Sequence, residues 1–222
     1  MEYFIKLDRQ LLKWAYQRRF EDSAYVKTLI FMGDGPFWMI TLFISALAGQ
    51  LLSNSSLIQL SIILMLGLAL GNFVFTPLKG YVKRLRPYAD RELHKNLNIL
   101  IKNRDPGHGS KELESFPSGH VLWTTICVSL ICFQYGLIAV ILLGWMIPTM
   151  IFLRPYLGVH YPSDALAGLA IGITLAAITM LISPMVLNFL DRLKDFNGYI
   201  YGYWVFITIF LIVGFKSWLK RV

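Results

Sequence analysis

Charge is scarce in this chain: Asp, Glu, Lys and Arg make up 15% of its 222 residues, whereas 56% are hydrophobic. That balance excludes a soluble domain of this size, whose surface needs a larger polar share. Cysteine is nearly absent. Cys127 and Cys132, five positions apart in an apolar run, suit neither a disulfide framework nor a metal site and read as packing residues. No Ser, Gly or Pro-rich linker, low-complexity tract or fixed-period repeat divides the sequence, so residues 1–222 read as one domain. The start lacks the unbroken apolar core of a signal peptide, because Lys6, Asp8, Arg9 and Lys13 interrupt it. No carboxylate and histidine cluster has the spacing of metal ligands, so neither a metal nor another cofactor is expected.

What the chain does have is long apolar runs, at about 36–52, 57–78, 119–134, 136–153, 163–183 and 199–215. Runs of that length fit the hydrocarbon core of a bilayer, which admits helices because they satisfy their own backbone. The expected fold is all-α, a bundle of six transmembrane spans. Ahead of it, residues 1–35 carry Phe4, Leu7, Leu11 and Trp14 at helical spacing, with Lys6, Arg9, Lys13, Arg18 and Arg19 around them. This is the pattern of an amphipathic helix, lying in the membrane interface or packed on the protein itself. It runs to about residue 30, and Gly33-Asp-Gly-Pro36 breaks it. Six spans put both termini, the 79–117 connection and the 154–162 connection on one side. The polar stretch 88–115 between the second and third spans, with balanced charges and with His94 and His108, reads as a solvated cap.

Three short motifs lie on that shared side. In Lys79-x6-Arg86-Pro87 the two cations stand two helical turns apart, and a helix continuing the second span would align Lys79, Lys83 and Arg86 on one face. Phe116-Pro-Ser-Gly-His120 precedes the third span; it describes a helix N-terminus with free N–H groups and positive dipole, suited either to anion binding or to ordinary capping. Arg154-x5-His160-x3-Asp164 places three ionisable groups between two apolar runs, where such groups are costly and mark function.

In order and spacing the three motifs resemble the signature of the type-2 phosphatidic acid phosphatase family, over about residues 79–170. The run Tyr156-Leu-Gly-Val-His-Tyr-Pro-Ser-Asp-Ala-Leu-Ala-Gly168 is especially similar to small bacterial lipid phosphatases. One departure is Leu153, where the family usually has Ser. The resemblance implies a metal-independent hydrolase acting through a phosphohistidine. His160 would be the nucleophile, Asp164 would orient it, and His120 would act as acid and then base. Lys79, Arg86, Ser118, Gly119 and Arg154 would bind the phosphate. That assignment agrees with the residue chemistry: phosphoryl transfer needs positioning and charge stabilisation, and arginine forks grip phosphate oxygens in pairs.

The expected partner is a membrane lipid, with no nucleic acid. The resemblance implies a bacterial envelope lipid such as lipid A 1-phosphate, phosphatidylglycerophosphate or undecaprenyl pyrophosphate. A lipid phosphotransferase and a non-catalytic lipid-phosphate transporter are the competing readings; the chain lacks the paired half-helix breaks of a transporter. Localisation in the bacterial inner membrane follows, with the side of the site left open. Nineteen of the 21 Lys and Arg fall on the side shared by termini and site, which by the positive-inside rule is cytoplasmic. Many members of the resembled family act on the outer face.

Overall fold

The computed structural model describes residues 2–105, 113–193 and 198–219. Regular structure there is α-helical apart from a 3-10 turn at Pro87–Ala89 and an isolated β-bridge between Leu85 and Glu114. The helices are α1 (Glu2–Tyr16), α2 (Ala24–Gly33), α3 (Gly35–Leu51), α4 (Ser55–Val82), α5 (Arg91–Leu97), α6 (Gly119–Tyr135), α7 (Leu137–Leu143), α8 (Met146–Tyr156), α9 (Pro162–Leu193) and α10 (Tyr199–Leu219).

Four segments are long and apolar enough to cross a membrane: α4, α7 with α8, α9 and α10. The pair α2 and α3, bent by 69° at its break, makes a fifth. Six is reached only by adding α6, an apolar helix of 17 residues. The bend falls at Gly33-Asp-Gly-Pro36. Asp34 Oδ1 accepts from Gly35 N at 2.8 Å and Pro36 occupies the first turn, so a new helix starts there.

The expected single N-terminal helix is two. α1 stops at Tyr16, and α2 restarts with Ser23 as its cap, Val26 N donating to Ser23 Oγ at 3.3 Å. α1 packs on the protein through one face and leaves an apolar face exposed. Leu12 and Ala15 are buried against the bundle, whereas Phe4 (73% exposed), Leu7, Leu11 and Trp14 (52%) point outward. The cap also differs from expectation. Leu93 and Ile101 are buried in a small core with Leu12, Tyr16 and Tyr161, so the cap is packed onto α1 as well as solvated. His94 is half-buried, with Nε2 2.9 Å from Pro87 O; His108 lies outside the described residues.

The main core joins α3, α4, α6 and α9 through Leu42, Ala46, Leu64, Leu122, Ile126, Cys127 and Ala176. Cys127 and Cys132 are free thiols within it or against it, the packing role their spacing suggested. The helices α6 and α9 touch closely because Gly168 and Gly172 have no side chain. A Cβ on Gly168 would lie 2.6 Å from Ser118 O, and one on Gly172 would lie 2.7 Å from Thr125 Cβ.

Candidate active site

Lys79 sits in the last turn of α4, 9% exposed, with its ammonium 5.1 Å from the Phe75 ring centroid. The helix does not continue to Arg86 as expected. Lys83 adopts φ 48, its N–H closing onto Lys79 O at 3.4 Å, and its side chain is exposed. Arg86 instead arrives on an extended segment whose N–H donates to Leu113 O at 2.8 Å, next to Ser115 N donating to Arg84 O at 2.7 Å. Its guanidinium is fully buried.

In the second motif, Ser118 N donates to Asp164 O at 3.0 Å, tying the start of α6 to the first turn of α9. Ser118 Oγ is fully buried and makes no hydrogen bond among the described residues, so it does not serve as the helix cap. Ordinary capping does not explain this serine. Gly119 lets Phe75 approach to 3.2 Å of where its Cβ would stand, and His120 follows, 4% exposed.

The third motif brings His160 beside Arg86. Arg86 Nη1 lies 3.5 Å from His160 Nε2, and His160 Nδ1 lies 3.8 Å from Asp164 Oδ2. An arginine only donates, so Nε2 faces it with its lone pair, and the ring proton belongs on Nδ1, toward the carboxylate. Asp164 Oδ2 also accepts from Tyr161 N at 2.9 Å. Arg154 is fully buried at the end of α8 with Nη2 2.9 Å from Asp105 Oδ2. Its Nε and Nη1 have no hydrogen-bond partner among the described residues. Asp105 was expected among the solvated charges of the cap, yet it is 3% exposed. Leu153 packs in the core between α2, α8 and α9, so the position carries no polar contact here.

Lys79, Arg86, Gly119, His120 and His160 line one cavity of about 370 Å³. Ser118, Arg154 and Asp164 are fully buried and absent from its wall. The structure thus puts five of the eight expected residues on one surface and three behind it. Among the described residues no three His, Cys, Asp or Glu side chains converge as a metal-binding group.

A second layer escaped the sequence reading. Asp8 of α1 accepts from Arg84 Nη2 at 2.7 Å, from Ser163 N at 2.8 Å and from Ser163 Oγ at 2.7 Å. Arg84 Nη1 in turn donates to Asp164 Oδ1 at 2.8 Å and to Ser163 Oγ at 2.7 Å. Burial lowers the Arg84 pKa, but Asp164 and Asp8 outweigh it and hold the guanidinium above its ordinary value. Beneath it, at 3.6 Å, lies the ring of Tyr161, whose hydroxyl donates to Asp90 Oδ2 at 2.9 Å. Burial first, then that bond, pushes the phenol pKa up and keeps it a donor. Arg84 stands two residues before Arg86, a hint that was available; nothing in the sequence marks Asp8.

The family model of the PAP2 superfamily matches residues 60–188. Decaprenylphosphoryl-5-phosphoribose phosphatase of Mycobacterium tuberculosis, from strains CDC 1551 / Oshkosh and ATCC 25618 / H37Rv, is 44% identical over 86 residues. The match covers 36% of this chain and 47% of those proteins, so it spans about half the length of the curated relatives. Among solved structures, Aquifex aeolicus LpxE aligns at TM-score 0.61 and 19% identity over 78% of this chain and 94% of that one. The first transmembrane PAP2 type phosphatidylglycerolphosphate phosphatase from Bacillus subtilis aligns at TM-score 0.61 and 18% identity, over 89% of this chain and 90% of its own. At such identities the likeness is one of fold.

Proposed function

We propose that this chain, which belongs to the PAP2 superfamily, is a multi-pass membrane phosphatase that hydrolyses a phosphate ester or diphosphate of a bacterial envelope lipid. The observation that carries the reading is the placement of His160. Its Nε2 faces the Arg86 guanidinium at 3.5 Å and its Nδ1 faces Asp164 at 3.8 Å, in a cavity shared with Lys79 and His120.

The chemistry follows from that placement. Arg86 grips phosphate oxygens and Lys79 adds a point charge, which together offset the charge spread over the transferring group. His160 Nε2 attacks phosphorus, and the P–O bond to the lipid breaks as the N–P bond forms. Asp164 stabilises the charge that develops on the imidazole. His120 gives its proton to the departing lipid oxygen, then takes one from the water that cleaves the N–P bond and releases phosphate. Ser118 Oγ and the start of α6 supply donors from behind. Arg154 adds positive charge from the buried side, where its unused Nε and Nη1 support a phosphate-facing role.

Phosphatidylglycerophosphate, a polyprenylphosphoryl sugar phosphate, lipid A 1-phosphate and undecaprenyl pyrophosphate are the substrate classes, drawn from the functions named for the relatives and from the family. The bacterial inner membrane is the proposed location. The site shares one side with both chain ends, a placement supported by the Asp8 bonds to Ser163 at the start and by Trp218 Nε1 donating to Asp34 Oδ2 at 2.8 Å near the finish. The purified chain, offered such lipids in mixed micelles with a chelator present, should release inorganic phosphate, and a His160→Ala variant of unchanged melting temperature should not. Wild-type phosphate release from the folded His160→Ala variant removes His160 from the reaction; no release by wild type from any lipid removes the hydrolase reading.

A further inference from the structure

The cavity that holds the histidines does not end with them. It runs along α4 past Phe75, Asn72, Ala69 and Leu68, with Phe210, Val213 and Gly214 of α10 as the opposite wall, and Asp34 and Trp218 line it at the site end. Of the polar groups in this slot that have no part in the phosphate chemistry, Asp34 and Asn72 are the two that bear on the substrate. Asp34 sits at the break between α2 and α3, next to Gly33, where a Cβ would lie 3.1 Å from His120 Cδ2. Asp34 and His120, the group assigned to protonate the leaving oxygen, line the same cavity. The Asp34 oxygens accept from Gly35 N and Trp218 Nε1, and an ionised carboxylate keeps further lone pairs for another donor.

Asn72 is the second group. It is exposed, it lies within a helix long and apolar enough to cross a membrane, and its side-chain amide makes no hydrogen bond among the described residues. An amide in that setting is costly against lipid tails and marks a substrate path when it faces a cavity. It stands seven residues from Lys79 on the same helix face, about 10 Å deeper along the axis. Beyond it the slot is lined by Leu68, Ala69, Met39 and Phe210, a surface for hydrocarbon.

We infer that Asp34 and Asn72 form a headgroup subsite that selects a phosphomonoester carried on a hydroxylated linker, with a polar ester or diester between that linker and the chains. This rests on the phosphatase reading and narrows it. A linker hydroxyl donates to Asp34 as the leaving group passes His120, and the Asn72 amide donates to the ester or diester oxygen deeper in the slot. A polyprenyl diphosphate is disfavoured twice. Its second phosphate would enter a slot lined by the Asp34 carboxylate, and its hydrocarbon would begin before Asn72, leaving that amide unpaired.

The test compares kcat/KM of the full chain in mixed micelles on phosphatidylglycerophosphate, a polyprenylphosphoryl pentose phosphate, phosphatidic acid and undecaprenyl diphosphate. The first two carry hydroxylated linkers, one glycerol and one sugar, so the better of them identifies the linker. Wild type should prefer that substrate to phosphatidic acid and to the diphosphate by at least about tenfold, the scale of one buried hydrogen bond left unmade. Asp34→Ser keeps a capping residue for α3 but withdraws the carboxylate, and Asn72→Leu suits a lipid-facing span. Each should cut the preference about tenfold with the melting temperature unchanged. Equal wild-type rates on the linker lipids and phosphatidic acid, or a preference that either variant leaves intact, would overturn the two-residue subsite. Binding of the same lipids to His160→Ala separates the two claims. A binding preference without wild-type turnover supports the subsite and sinks the hydrolase reading, whereas equal binding sinks the subsite.

Discussion

A histidine attacks phosphorus only if one ring nitrogen is held free of its proton, and Arg86 and Asp164 on opposite sides of His160 provide that asymmetry. The acid role proposed for His120 makes its loss depend on the substrate. With a good leaving group no acid is needed, and His120→Ala should cost at least about tenfold less on such a substrate than on a lipid alkoxide; equal losses on both would remove His120 from the acid role. Arg86→Lys keeps the charge but not the fork, and because the guanidinium is fully buried a loss of at least about tenfold in kcat/KM is expected. Normal activity of the lysine variant would make Arg86 a point charge only. Asp105 calls for a different measurement. It is the buried counter-ion of Arg154, so Asp105→Ala leaves a charge unpaired and should destabilise by about 3–5 kcal/mol. Orthovanadate, by supplying an anion, should raise the variant's melting temperature more than that of wild type. An equal rise in both would place Arg154 out of reach of the phosphate. That Lys79, Arg86, Gly119, His120 and His160 would share one cavity was legible from the three motifs. Asp105 and Asp8 were not, since a carboxylate in a polar stretch reads as solvated until its partner, 49 or 76 residues away in the chain, is known.

At the level of elements, periodicity and turn residues located the helices but not their fine breaks. The bend at Gly33-Asp-Gly-Pro36 was readable because Asp caps and Pro starts helices. The gap between α1 and α2 was not, because residues 17–22 contain no Gly or Pro to mark a break. The end of α4 was hidden for a related reason: Lys83 in a left-handed conformation has no marker such as Gly. α1 itself joins two environments. Its outward face, Phe4, Leu7, Leu11 and Trp14, suits a membrane interface, while Asp8 on the other face braces Arg84 and Ser163 around Asp164. A positioning role for Asp8, reaching Asp164 through Arg84, can be tested. Asp8→Ala should lower kcat about tenfold to a hundredfold, the range over which a displaced catalytic group costs rate, with KM held within about twofold. Because Asp8 works through Arg84, adding Asp8→Ala to an Arg84→Ala enzyme should lower activity little further. Fully additive losses, or a change in KM alone, would show that α1 only stabilises the bundle.

For the whole molecule the question is which way the site faces, and two lines of argument oppose each other. In the six-span reading of the sequence, nineteen of the 21 Lys and Arg fall on the side assigned to the termini and the phosphate motifs. Removing Lys79, Lys83, Arg84, Arg86 and Arg154, which stand in or beside the phosphate motifs, still leaves Arg192 and Lys194 far outnumbered. The positive-inside rule then puts the site in the cytoplasm. Yet the basic residues of α1 flank an outward apolar face, and such a helix grips anionic headgroups of either leaflet, so its charges are poor topology markers. The envelope lipids proposed as substrates are also met on both leaflets. If α6 is counted as a crossing, α3, α6 and α9 leave the site end and α4, α8 and α10 return to it. Single cysteines at Tyr3, Asn54, Glu92 and Leu219, in a background with Cys127 and Cys132 replaced by Ala, should therefore divide three against one. Tyr3, Glu92 and Leu219 react alike with an impermeant thiol reagent in intact spheroplasts, and Asn54, in the turn between α3 and α4, reacts oppositely. Labelling of Asn54 alone places the site in the cytoplasm; labelling of the other three places it outside. If Glu92 parts company with Tyr3 and Leu219, an odd number of crossings separates the cap from the termini, and the six-span bundle is wrong.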